Sequence, residues 1–424
     1  MRTPLLAALS LSILAVAAPK AGAAAEPPLA ITNVTVVDVV AGRELPDRTV
    51  VIRGDRITAV AAAAHEIPAS ARRIDGHGKW LIPGLWDMHM HALTDRRFSY
   101  FFPLLLANGV TGIREMGSNL PLDEIARIRR ALDSGHMLGP RIGALSPRLL
   151  DGPGSNFPTA VVVSSPDEAR ATLRAFRRAG ADFAKPYNLL SRPTYLALVD
   201  EAKKLGMPVE GHVPFSMTAL EVARLGQATI EHDFDILLSA SRDEHRFRAA
   251  LQADPTHWLS NEGRAAASYD PAKARVLYLQ LARLGVWSCP TVAFYRVPIL
   301  IGDQPGVRSD PRLAYVPQWQ VKRWSVQLVQ SARNLGASED RPGHYAMRSR
   351  IVREMHLAGV RILAGTDSGA MFAVAGFTLH DELAALVEAG LTPLEALRSA
   401  TISPAQFLHR TKIAGTITPG READ

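Results

Sequence analysis

Asp87-Met88-His89-Met90-His91 places two histidines two residues apart at the end of a short apolar run. If that run is a β-strand, alternate side chains share a face, so His89 and His91 point the same way. Two imidazoles on one face can hold a metal ion. An H-x-H pair is common by chance, so its weight depends on what else reaches the same place. Four later segments end in further groups able to ligate a metal. Phe183-Ala184-Lys185-Pro186-Tyr187 carries a lysine among apolar residues, and Pro208-Val209-Glu210-Gly211-His212 and Thr229-Ile230-Glu231-His232 each end in histidine. Ile362-Leu363-Ala364-Gly365-Thr366-Asp367 ends in aspartate. Taken singly, Lys185 reads as a salt-bridged or snorkelling side chain and Asp367 as a helix cap. Together, five strand ends each present a ligating group, and that joint pattern points to a metal centre.

Positioning these groups requires strands that end at one rim. Short apolar strands are predicted at 84–91, 109–115, 140–146, 182–187, 207–212, 228–232, 286–294 and 360–366, with helices between them. Ser165-Pro166-Asp167-Glu168 and Thr392-Pro393-Leu394-Glu395 each carry a capping hydroxyl, a proline at the first helical position and a glutamate at the third. Gly180 and Gly206 stand where helices should stop. Eight strands alternating with helices fit a parallel (β/α)₈ barrel, whose catalytic groups sit at the carboxyl ends of its strands. The intervals 233–283 and 295–347 exceed one crossover helix each and are expected to carry extra helices above the barrel mouth. Before the barrel, the β-branched segments between Leu29 and Ala61 read as a small antiparallel sheet with a turn at Gly54-Asp55-Arg56.

The order His89-x-His91, Lys185, His212, His232, Asp367 resembles the metal-dependent amidohydrolase superfamily. Leu81-Ile82-Pro83-Gly84-Leu85-Trp86-Asp87 and Ala364-Gly365-Thr366-Asp367-Ser368-Gly369 resemble its imidazolonepropionase-like and prolidase-like members. The resemblance runs from Ile31 to Asp424 and implies an α/β TIM barrel at 81–400. A small β-sandwich beside it would be formed by 26–80 and 401–424. It further implies a strand beyond Asp424 that would complete the sandwich; a truncated chain and a clipped sandwich both fit. By the family pattern, His89, His91 and Asp367 hold one divalent ion and His212 and His232 another. A carboxylated Lys185 would bridge the two ions, and Asp367 would act as the catalytic acid–base. Zinc suits imidazole donors, with iron, manganese and cobalt as alternatives.

The implied reaction is hydrolysis of a small-molecule amide, with dipeptides and N-acyl amino acids as the expected substrates. Lactone, ester, phosphotriester or cyclic-amide hydrolysis would use the same ligands, and a non-catalytic periplasmic binding protein on the same barrel is the remaining alternative. Single-metal deaminases of the superfamily lack the bridging lysine and place a glutamate three residues after the strand-five histidine; here Phe215 stands there. Tyr187, Arg114 and His380 are the candidate substrate-binding residues.

The 424 residues are 47% hydrophobic and 21% charged, as in a globular protein with a substantial core. The net charge of +7 comes from arginines scattered along helices, as at Arg127, Arg129 and Arg130, without interleaved aromatics, so nucleic acid is not an expected partner. Arg2, the apolar run from Pro4 to Ala18 and the small residues Ala21-Gly22-Ala23 and Ala23-Ala24-Ala25 read as a signal peptide over 1–25. The run falls short of the ~20 residues a membrane span needs. A secreted or periplasmic protein without a membrane span is expected. Cys289 is the sole cysteine, excludes an internal disulfide and reads as a buried structural thiol.

Overall fold

The computed structural model describes residues 26–62, 67–301, 305–335 and 340–424; the segment 1–25, expected from the sequence to be a signal peptide, lies outside them. Strands β1 (Leu29–Asp38), β2 (Arg43–Arg53), β3 (Arg56–Ala62), β4 (Arg72–Asp75) and β5 (Trp80–Leu81) form one sheet. Strands β1, β2 and β3 are antiparallel neighbours, and β4 and β5 lie parallel to β1. Val34, Val36, Val50 and Ile57 bury one face of this sheet. The chain end returns to it: Arg56 bridges Glu422, and Ile57 N–H donates to the Arg421 carbonyl at 2.9 Å.

The barrel strands are β6 (Leu85–Met90), β7 (Val110–Glu115), β8 (Arg141–Leu145), β11 (Lys185–Pro186), β12 (Glu210–Gly211), β13 (Thr229–Glu231), β14 (Trp287–Cys289) and β15 (Arg361–Ile362), each inside a predicted segment. Two short strands between β8 and β11 were not predicted, namely β9 (Leu149–Asp151) and β10 (Ala160–Val162). Ladders run β6-β7-β8 and β12-β13-β14-β15, all parallel. Backbone hydrogen bonds at each junction join the pieces into a ring. Asp182 N–H donates to the Leu145 carbonyl at 2.9 Å, Ala184 pairs with Val209, and Met88 N–H donates to the Ala364 carbonyl at 2.9 Å. The fold is therefore the expected α/β barrel.

The strand predicted over 286–294 overruns. Thr291 adopts φ 49°, and Val292–Tyr295 is a helical turn. Its apolar run suits a buried strand or a buried turn equally well, and periodicity does not separate the two. The predicted caps form: Ser165 Oγ accepts from Glu168 N–H, and Thr392 and Glu395 make a full capping box. Gly206 closes its helix in the left-handed conformation, φ 61°. Helices Glu244–Ala253 and Trp258–Ala267 fill the first long interval and Gln318–Leu335 the second, as expected. No helix among the described residues is long and apolar enough to cross a membrane.

Candidate metal centre

His89 and His91 leave the end of β6, Lys185 opens β11, and His212 and His232 follow β12 and β13 directly. Asp367 lies five residues past β15. The ring closure brings all six together. Oδ1 of Asp367 is 3.2 Å from His91 Nε2 and 3.5 Å from His89 Nε2. Lys185 Nζ is 3.3 Å from His89 Nε2. The His89 ring centroid is 4.5 Å from that of His232, which is 4.9 Å from that of His212. His232 and Asp367 hold φ values of 59° and 53°, a left-handed conformation costly for residues with a side chain and concentrated at functional sites.

Each imidazole is anchored through Nδ1. His89 donates to Glu231 Oε2 at 2.7 Å, His91 to the Gly117 carbonyl at 2.9 Å and His212 to Asn188 Oδ1 at 2.7 Å. His232 Nδ1 is hydrogen-bonded to Thr291 Oγ1 at 2.7 Å. A neutral imidazole with its proton on Nδ1 presents a lone pair on Nε2, the arrangement of a metal ligand with its outer partner in place. His212 Nε2 is buried without a hydrogen-bond partner, an orphan that a cation would satisfy. The donor set of imidazole nitrogens and one carboxylate therefore fits a divalent transition metal.

Burial pushes the pKa values of His89, His212 and His232 well below the usual histidine range, and the neighbouring cationic groups add to this, so all three are neutral. Lys185 falls to about 8, chiefly through burial, against the raising effect of Asp367 and Glu231. Burial alone would raise Asp367, but the imidazoles of His91 and His232 and the Lys185 ammonium packed around it hold it below the usual carboxylate value.

The three substrate-binding candidates separate. Tyr187 lines a cavity of about 590 Å³ that also takes in His212, His232 and Asp367, and both long intervals contribute to its walls through Trp258 and Gln327. Arg114 does not reach this cavity. It is fully buried, with Nη1 2.8 Å from Glu210 and Nη2 2.8 Å from Glu231, so the anionic partners expected in a substrate are supplied by the protein. His380 lies on the exposed side of helix Phe377–Glu388, where Nε2 meets the Asn108 carbonyl at 3.0 Å. Both are removed from direct substrate contact for these reasons.

Cys289 is fully buried, as expected, and with His89 and Glu231 it makes a second cluster of ligand-type atoms. Both Glu231 oxygens are already engaged, by His89 on one side and by Arg114 and Thr229 on the other, and burial raises the thiol well above its ordinary pKa. That cluster is structural. Sequence reasoning missed Glu231, Asn188 and Thr291 as anchors of the histidines; an acidic residue at an inward position of a barrel strand was the one available signal.

Residues 80–424 match the model of the amidohydrolase family. Bottromycin amidohydrolase superposes with a TM-score of 0.69 at 25% identity, over 93% of this chain and 80% of that one. A protein of Bifidobacterium longum described as a prolidase superposes with a TM-score of 0.66 at 26% identity, over 94% and 88%. A Xaa-Pro dipeptidase crystallised with methionine in its active site shares the fold, with a TM-score of 0.63 at 20% identity over 94% and 92%. No curated protein matches. The chain belongs to the amidohydrolase family and is a metal-dependent hydrolase acting on carbon–nitrogen bonds.

Proposed function

We propose that the centre is binuclear, with His89, His91 and Asp367 holding one divalent ion, zinc suiting these donors, and His212 and His232 holding the second. The observation that carries this reading is the anchoring of four imidazoles through Nδ1 around Lys185 and Asp367. Lys185, as a carbamate, would help hold both ions: its neutral amine would add CO₂, forming a nitrogen–carbon bond and releasing one proton to solvent. Burial supports this step by increasing the fraction of neutral amine. When bound, the ions supply an activated water and polarise the substrate carbonyl.

Asp367, which lines the cavity, takes the proton of the attacking water and delivers it to the leaving nitrogen. Burial, reinforced by Asp367, raises the Tyr187 hydroxyl well above its ordinary pKa, so it stays protonated and donates to the substrate carbonyl or carboxylate. The substrates are dipeptides or N-acyl amino acids, a reading favoured by the likeness to a prolidase and to an amidohydrolase at 25–26% identity. The amino-terminal pattern of 1–25 supports export and cleavage.

Metal content and hydrolysis of a dipeptide and N-acyl amino-acid library, measured on wild type and Lys185→Ala, test the reading. About two metals per chain, with activity lost in the variant, is the expected result; protein that stays metal-free and inert after zinc and bicarbonate are supplied overturns it. The amino-terminal mass of the exported protein tests cleavage.

A further inference from the structure

Five rings run in sequence along one wall of the cavity. Phe157 meets Tyr187 edge-on at 4.9 Å, Tyr187 lies 4.2 Å from His212, His212 stacks on Phe234 at 4.3 Å and 18°, and Phe234 lies 5.0 Å from Trp258. All five line the same cavity, and Phe215 joins them. They come from separate parts of the chain: the segment between β9 and β10, the ends of β11, β12 and β13, and the first long interval. The fold thus assembles an aromatic arc centred on a proposed metal ligand. Phe157, at one end, is 48% exposed, and Trp258, at the other, is partly exposed, so their rings remain available to a ligand.

We infer that this arc selects amide substrates carrying an aromatic or bulky apolar group next to the scissile bond. The inference rests on the amide-hydrolase reading of the same site and adds the substrate class. Flat rings bind a flat apolar group by area burial and by offset or edge-on contact. A charged side chain placed against this wall would lose hydration without gaining an ion partner. The acid nearest the Phe157 end, Asp151, is engaged with the Gly152 and Leu189 N–H groups, and Asp367 belongs to the chemistry.

The test uses metal-loaded full-length protein and a series of amides with a benzyl, isobutyl, methyl, carboxymethyl or aminobutyl group on either side of the amide. Hydrolysis gives kcat/KM, and calorimetry on the same amides gives binding. The benzyl compound should exceed the methyl one by about tenfold or more, the scale of discrimination that apolar contact provides. The charged compounds should fall below the methyl one. Trp258→Ala and Phe157→Ala should narrow the benzyl-to-methyl ratio at least threefold, and Trp258→Phe should restore most of it. Equal rates for benzyl and methyl in wild type, or a ratio unchanged in both alanine variants, overturn the inference while leaving amide hydrolysis standing. Absence of turnover with a benzyl preference in binding that the alanine variants lose keeps the arc and removes the hydrolytic reading. Absence of any preference in binding as well removes both.

Discussion

Oε2 of Glu231 accepts the Nδ1 proton of His89 at 2.7 Å, with both side chains fully buried. Oε1 of the same carboxylate accepts from Arg114 Nη2 at 2.8 Å, and Arg114 Nη1 holds Glu210 at 2.8 Å. Arg114 thereby orients a carboxylate that orients a proposed metal ligand, a role remote from the substrate contact first expected of it. Glu231→Gln keeps the shape of the side chain but removes the charge that polarises His89, and it leaves Arg114 with less compensation. Metal affinity should fall by about 10–100-fold, the usual cost of losing an outer partner of a ligating histidine. Competition with a chromophoric chelator measures it; unchanged affinity would show that His89 needs no such support.

Removing the metal should destabilise the protein as well as silence it. An ion that binds only the folded chain stabilises it by about 2.7 kcal/mol at a free concentration one hundred times its Kd. Chelator treatment should therefore lower Tm and abolish amide hydrolysis together, and added zinc should restore both. A Tm indifferent to chelator would mean that the histidine cluster holds its shape without a cation, despite the orphaned His212 Nε2.

Gly365, two residues before Asp367, has no room for a side chain. A Cβ there would lie 2.5 Å from Cys289 Sγ and 2.8 Å from His89 Cβ. Gly365→Ala should cost about 1–3 kcal/mol in stability, the range for overpacking a tight core, and it should push His89 out of line. Urea unfolding and metal titration together check this: loss of metal affinity accompanying the loss of stability supports the packing argument, and wild-type values for both refute it.

The clustering of the candidate ligands was legible in the sequence because a barrel forces chemistry to strand ends, and strand ends are marked by short apolar runs that stop at a polar residue. His89, His91, Lys185, His212, His232 and Asp367 all sit at or just past such stops. Their supports were not legible. Asn188 and Thr291 are ordinary polar loop residues whose meaning depends on which imbalance of donors and acceptors they correct across the fold. Thr291 was masked further, because the run 286–294 reads as one strand until its left-handed φ turns the chain into Val292–Tyr295. Glu231 was visible within Thr229-Ile230-Glu231-His232, yet its partner Arg114 is 117 residues away, a separation no periodicity encodes.

Glu382 supplies a pH test away from the proposed metal ligands. Its Oε2 accepts the Ala293 N–H at 2.7 Å, while Oε1 is buried without a partner. Burial raises this carboxyl to about 8 from its ordinary 4.5, against the lowering effect of the Ala293 and Val292 N–H groups. Between those two values the folded protein keeps a proton that the unfolded chain has released, so folding is linked to proton uptake. The stabilisation is complete below about pH 4.5 and is lost as pH rises through about 8. Glu382→Gln retains an acceptor for the Ala293 N–H and cannot ionise. Relative to the variant, wild type should lose stability steadily from pH 5 towards 8, by up to about 1.4 kcal/mol per pH unit, and the difference should level off above that. Urea unfolding of both proteins across this range measures the difference directly, with contributions common to the two cancelling. A difference that stays flat from pH 5 to 9 would mean that Glu382 is ionised in the fold throughout, and that its second oxygen has found a partner.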